Sequence, residues 1–161
     1  MAKISILSVS AALIVTVLAG AASSGSCPER SSGQTWYVSI YSHVYSGPKS
    51  RPMNLTATLS VRNTDRKHPI TITTVDYYDS NGKLVRSYLE RPFQLDKLAT
   101  TRFIVKASDT TGGSGANFIV TWHSRTEVDV PIVEAVHVST ASGQGISFVT
   151  HGQVLSDEAK K

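Results

Sequence analysis

The residues of this chain that could do chemistry are few and far apart. Its five histidines are His43, His68, His123, His137 and His151. No two of them have the i, i+2 or i+4 spacing that sets a pair of imidazoles on one side of a strand or helix for a shared metal ion. A zinc or copper site would therefore have to be assembled from separate strands, and His123, His137 and His151, all late in the chain, are the set that neighbouring strands would supply. Hydrolysis needs two carboxylates across a cleft, or a nucleophile beside a base. Asp76, Asp79, Glu90, Glu127, Asp129 and Glu134 offer carboxylates, but their spacing sets no two of them face to face. No catalytic residue is assigned. The glycine-rich stretch Asp109 to Gly115 (DTTGGSG) lacks the Lys and Ser or Thr that a phosphate-cradling loop carries after its last glycine, and it runs into Ala116-Asn117-Phe118 and a strand instead of a helix. It reads as a mobile turn. The same glycines miss the nucleophile-elbow pattern because Ala116 stands where a glycine is required. A calcium loop with Gly82 at its sixth position would put Tyr77 and Tyr88 where carboxylates belong.

Recognition has better support than reaction. From Trp36 onward, Trp36, Val38, Ile40 and Val44 share one parity while Tyr37, Tyr41, His43 and Tyr45 share the other. A strand with this pattern is apolar on one side and aromatic on the other. Tyrosine offers flat apolar area with a polar tip and loses little entropy on binding, so Tyr37, Tyr41, His43 and Tyr45 form the predicted ligand-binding platform. The plainer alternative is that these tyrosines cover an outer sheet face.

The elements that would hold such a platform are strands. Leu55, Ala57, Leu59 and Val61 alternate with Thr56, Thr58, Ser60 and Arg62, the period of a half-buried strand. Ile70 to Asp79 follows after a turn, with Pro69 at its start, where a missing N–H costs little. The shift of apolar parity from Ile70 and Ile72 to Val75 and Tyr77 predicts a bulge. Asn81-Gly82 then tolerates the positive φ of a hairpin turn, and Leu84 to Leu89 returns antiparallel. The expectation is three consecutive paired strands whose apolar face a second layer must cover. Arg91 to Lys97 reads as a crossing loop packed by Phe93, Leu95 and Leu98. Further strands are predicted at Thr101 to Lys106, at Phe118 to His123 with Phe118, Val120 and Trp122 inward, at Ile132 to Thr140, and at Ile146 to Thr150. No helical period appears after the leader, and strands recur at the spacing of a sandwich or small barrel.

The 161 residues fit one domain with an N-terminal extra. Lys plus Arg number 16 and Asp plus Glu 12, a formal net charge of +4. That is too modest and too scattered for a nucleic-acid binder. The densest basic cluster is Arg62, Arg66, Lys67 and His68 around one turn, able to attract a phosphate but usual for a solvated loop. The first stretch has a basic Lys3, an apolar run from Ile4 to Leu18 and an Ala19-Gly20-Ala21 cleavage site, the grammar of a signal peptide. The alternative processing is lipidation of Cys27, which follows the small residues Gly25-Ser26. Cys27 is the only cysteine, so no intramolecular disulfide can form and packing must supply the stability. The expected organisation is a signal peptide over 1–26, a linker over 27–35, a β-sandwich domain over 36–155 and a disordered tail over 156–161.

Several of these stretches resemble a known family. Tyr41-Ser42-His43-Val44-Tyr45, Leu59-Ser60-Val61-Arg62-Asn63-Thr64-Asp65, Val75-Asp76-Tyr77-Tyr78-Asp79, Gly112-Gly113-Ser114-Gly115-Ala116-Asn117-Phe118 and Pro131-Ile132-Val133-Glu134-Ala135-Val136 resemble the bacterial family called domain of unknown function 3124. The resemblance covers nearly all of the chain after its leader and transfers no functional residue. It implies a bacterial protein that is exported or lipid-anchored. The order of strand, Arg-Asn-Thr turn, strand and Asn-Gly hairpin is also similar to immunoglobulin-like domains of the stress-protein and fibronectin type III kinds. The expected fold is thus all-β, a single immunoglobulin-like or fibronectin-type sandwich of seven or eight antiparallel strands. The expected function is a non-enzymatic binding or structural module of the bacterial cell envelope, with no cofactor and no nucleic-acid partner. Its partner would be an envelope protein or ligand, and membrane contact would come only through the leader or a lipid on Cys27. The alternative is a metal-binding or hydrolytic enzyme using the strand histidines and acidic residues.

Overall fold

The computed structural model describes residues 29–140 and 145–157. The expected signal peptide over 1–26, the lipidation candidate Cys27 and residues 158–161 of the expected tail lie outside them. The described chain is all-β. Its strands are β1 (Arg30–Ile40), β2 (His43–Ser46), β3 (Arg51–Asn54), β4 (Thr56–Arg62), β5 (Ile70–Tyr78), β6 (Leu84–Ser87), β7 (Phe93–Leu95), β8 (Thr100–Val105), β9 (Ala116–Asp129), β10 (Ile132–Ser139), β11 (Ile146–His151) and β12 (Gln153–Asp157). These are more than the seven or eight expected, because the chain changes direction within several stretches that read as single strands or loops.

One sheet runs β12-β1-β9-β5-β6, with β7 also pairing β5; the second runs β11-β10-β4-β8; β2 and β3 form a separate hairpin. Every pairing is antiparallel. The two larger sheets close on one core. Val38, Ile40, Ile72, Val75, Tyr77, Phe118, Val120 and Trp122 meet Ala57, Leu59, Val61, Val105, Val133 and Ala135 in a single buried cluster. The alternating residues therefore lie where a period of two puts them, and the sandwich expectation holds. So do two local expectations. The β5–β9 register shifts between Ile72 and Thr74, the predicted bulge, which lets Ile70, Ile72, Val75 and Tyr77 all point inward. Gly82 has φ of 77° in the β5–β6 hairpin.

Other expectations need correction. β4 does not pair with β5, so the three-stranded meander is not formed; β4 sits between β10 and β8 in the opposite sheet. The linker over 27–35 is overturned from Arg30 on, where β1 pairs with β9. Ser31 and Gln34 are buried despite being polar because Asp157 receives both, from Ser31 Oγ at 2.6 Å and from Gln34 Nε2 at 2.9 Å. For the same reason the tail does not begin at 156: Ser156 and Asp157 pair with Thr35 and Gln34.

Both flanks of the sandwich are stitched. On one, β11 leaves the second sheet and becomes β12 of the first through Gly152, whose N–H donates to Val133 O at 2.8 Å. A Cβ there would lie 2.7 Å from Trp36 Cε3 and 2.9 Å from Val133 O, so only glycine lets the chain cross. On the other flank the Tyr88 hydroxyl donates to Ile104 O at 3.2 Å while its backbone N–H donates to Val75 O at 2.8 Å.

Candidate functional site

The predicted tyrosine platform is divided. β1 ends at Ile40, and buried Ser42 turns the chain by donating its N–H to Gly113 O at 3.1 Å and accepting Leu55 N–H at 2.9 Å. Tyr37 stays on β1, half-buried on the parity opposite Val38, beside Gln153 and Ile119. Tyr41 instead turns its ring edge to His137 and Phe148, with centroids 5.7 and 5.6 Å away. Only His43 and Tyr45 remain together, His43 Nε2 and Tyr45 Oη being 3.1 Å apart on the β2–β3 hairpin. Tyr45 is 60% exposed, so this pair is open to a ligand.

The late histidines are equally separated. His137 is buried between the sheets, stacked on Phe148 at 4.5 Å with nearly parallel rings. Its Nε2 accepts the Tyr41 N–H at 3.2 Å, which assigns the ring proton to Nδ1, an atom without a hydrogen-bond partner. Burial lowers its pKa from the ordinary 6.5, against a smaller upward push from the backbone of Phe148 and Ala135. The ring is neutral. His123 is exposed on β9 opposite Gly33 and Thr71, and His151 is exposed at the end of β11, 3.8 Å from Glu134. Among the described residues no three His, Cys, Asp or Glu side chains gather into a metal site.

Several carboxylates named from the sequence are in structural contacts. Asp129 pairs with Arg30 at 2.9 Å and Glu134 with Arg62 at 3.4 Å. Asp76 receives the Ser87 hydroxyl at 2.6 Å, and Asp79 receives the N–H groups of Asn81 and Lys83 in the hairpin turn. The glycine-rich loop is tied as well, and not by phosphate. Gly112 O accepts both the N–H and the hydroxyl of Ser80 at 2.9 Å, and Gly115 N–H donates to Ser80 Oγ at 3.0 Å. What read as a mobile turn is a clasp on the Asn-Gly hairpin.

A second clasp closes the other end, where β4 crosses to β5. Asn63 Nδ2 donates to the backbone oxygens of His68 and Asp96 at 2.9 and 3.0 Å, while Asn63 Oδ1 accepts Asp65 N–H at 3.0 Å. Asp65 is 3% exposed; Oδ1 accepts the N–H of Lys67 at 2.7 Å and of His68 at 2.8 Å, and Oδ2 that of Asp129 at 3.1 Å. Burial alone would raise this carboxyl, but the three backbone donors, aided by nearby His68, win and leave its pKa at about 2. Thr64 adds a hydroxyl bond to Val130 O at 3.0 Å. The Arg-Asn-Thr-Asp stretch is therefore the knot that joins both sheets at this end.

An exposed apolar row on the second sheet was missed by the sequence reading. Ile104 on β8, Val138 on β10 and Val149 on β11 are 46%, 42% and 45% exposed. Ile104 and Val136 both stand opposite Thr58, and Val136 stands opposite Val149, so a β-branched row crosses all four strands of the second sheet on its outer side. A groove of about 670 Å³ continues from it, lined by Asn54, Thr56, Ala107, Ser108 and Val138 among others. The available signal was that β8 and β10 are apolar on both parities, as in Phe103-Ile104-Val105 and Val136-His137-Val138.

The family model described as "Protein of unknown function (DUF3124)" matches residues 33–155. The chain belongs to the DUF3124 family. The DUF3124 match starts inside β1 and ends inside β12, so it takes in both sheets and the stitched flanks. No curated protein matches the chain. A solved structure titled "Crystal Structure of Thermotoga maritima 1070" is similar at 9% identity, covering 74% of this chain and 92% of that one with a TM-score of 0.46.

Proposed function

We propose that this DUF3124 chain is an exported, non-enzymatic binding module of the bacterial cell envelope. The observation that supports the binding role is the β-branched row Ile104, Val136 and Val149 on the outer side of the second sheet. An antiparallel sheet with one solvated face ordinarily carries polar side chains there, and a contiguous apolar face marks a place where another surface docks. The exposed His43–Tyr45 pair is the smaller recognition element. Export is supported by the signal-peptide pattern over 1–26, and the envelope setting by the family resemblance. The enzyme alternative would have to draw His137 from the interior, His123 from the first sheet and His151 from the end of β11.

The test is made in bacterial cells producing the full chain with a photo-crosslinking residue at Val149, and at exposed Lys83 as control. We expect the chain in the envelope fraction, its leader removed, with crosslinked species from position 149 and none from position 83. An intact Met1 in the cytoplasmic fraction refutes export. Equal labelling, or none, from the two positions refutes the face.

A further inference from the structure

The chain enters the fold at the end closed by the Asn63–Asp65 knot. Val130 N–H donates to Glu29 O at 3.0 Å, Asp129 N–H to Asp65 Oδ2, and Leu98 N–H to Asp65 O at 3.2 Å. These bonds place the first described residue and the β4–β5, β7–β8 and β9–β10 connections at one tip. The sequence led us to expect Leu98 to pack the crossing loop; it does the opposite. Leu98 is 64% exposed, more than any other large hydrophobic side chain among the described residues, and its φ is 58°. Left-handed backbone is unfavourable for a branched apolar residue, and Asn or Asp would occupy it more readily. The Leu98 N–H to Asp65 O bond holds that backbone in place but leaves the side chain in solvent at the loop tip.

Its surroundings are basic. Arg66 and Lys67 follow Asp65 directly and are exposed, as is Lys97 beside Leu98. Ile132, 47% exposed, begins β10 at the same end opposite Arg62. The acidic groups here are exposed Glu29 and Asp96, the latter accepting Gln94 Nε2 at 3.3 Å, together with Asp65, which holds three backbone donors, and Asp129, which pairs with Arg30. Cys27 precedes Glu29 by two residues, a reach of at most ~7 Å. A lipid on Cys27, or a leader retained before cleavage, would thus bring this tip, and not the opposite end, to a bilayer.

We propose that this tip is a membrane-facing surface, in which Leu98 enters the headgroup boundary of an anionic bilayer while Arg66, Lys67 and Lys97 meet its phosphates. The design is that of a peripheral anchor, where a small apolar insertion and a few cations add to one covalent tether that is marginal alone. The inference rests on the export reading for the tether only, since the tip itself can be tested without a leader.

All strands among the described residues lie within 30–157, so a chain starting at residue 27 with Cys27→Ser keeps the described sandwich. It is sedimented with vesicles of phosphatidylglycerol and phosphatidylethanolamine, and with vesicles of phosphatidylcholine alone. We expect binding to the anionic vesicles only, reversed by high salt. Arg66→Glu with Lys67→Glu should weaken it by at least about 25-fold, roughly fivefold for each cation removed. Leu98→Asn should weaken it about tenfold while keeping or raising the melting temperature, because Asn suits the left-handed backbone. Equal sedimentation with both vesicle types, no sedimentation with either, or anionic binding untouched by Leu98→Asn and by the charge reversals overturns the inference. None of these outcomes bears on export, which cell fractionation of the full chain decides.

Discussion

Replacing Asp65 by Asn tests whether the knot between the sheets is held by a buried carboxylate. Three backbone N–H groups, from Lys67, His68 and Asp129, converge on its two oxygens. The amide of Asn keeps one oxygen and turns an N–H₂ toward donors it cannot accept, and it also removes the charge that made those bonds strong. The linkage between the ordinary carboxyl value of 3.8 and the folded value of about 2 corresponds to ~2.5 kcal/mol. Because the folded pKa is the lower one, this stability is complete well above 3.8 and is lost as the pH falls through about 2. Integrating the two titrations leaves about half of it at ~pH 3. Guanidinium unfolding of wild type and Asp65→Asn at neutral pH should therefore differ by ~2 to 3 kcal/mol, with the gap falling toward about half near ~pH 3. A neutral-pH difference below ~0.5 kcal/mol, or one that does not change on acidification, would refute the assignment of the knot to the ionised carboxylate.

Gly112→Ala should destabilise by about 2 to 3 kcal/mol in thermal or denaturant melts, because its Cβ would fall 2.0 Å from the buried Tyr77 hydroxyl; an unchanged midpoint would mean that the clasp is not packed. Gly152→Ala should free β12 from β1 by pushing on Trp36 and Val133 O, seen as lost amide protection at residues 153–157 with the second sheet still protected. His137 should titrate below 6.5 by NMR. Its folded pKa is depressed, so the associated stability is complete above 6.5 and declines as the pH falls through the lower folded value; a midpoint at or above 6.5 contradicts the neutral buried ring.

What the sequence made legible was whatever a period of two and local turn chemistry decide. Alternation located the inward faces of β4, β5, β8 and β9, and Asn81-Gly82 and the parity shift before Val75 located a hairpin and a bulge. It did not reveal which strands pair, because pairing is decided at the crossings. The step from β4 to β5 reads like a hairpin loop, yet Asn63 and Asp65 bind residues near 96 and 129 and carry the chain to the other sheet. Likewise Ser31 and Gln34 read as linker because their burial depends on Asp157, more than 120 residues away. The tyrosine platform failed for the same physical reason. Parity runs unbroken from Trp36 to Tyr45 in the sequence, but Ser42 is captured by Gly113 and Leu55, so the side chains beyond Ile40 no longer share the β1 face.

The glycine-rich loop, the acidic hairpin and the Arg-Asn-Thr-Asp turn, the first two already failing as phosphate and calcium motifs in the sequence, are tied up by the fold's own groups. Leu98, expected to pack the crossing loop, faces out, as do Ile104 and Val149, whose exposure the sequence did not single out. A buried polar group needs a partner from the protein, whereas an exposed apolar group lowers its free energy when a partner arrives from outside. The polar motifs of this chain thus spend their bonding capacity on joining two sheets, and the proposed contacts rest on apolar side chains on the outer side of the second sheet and at the Leu98 tip.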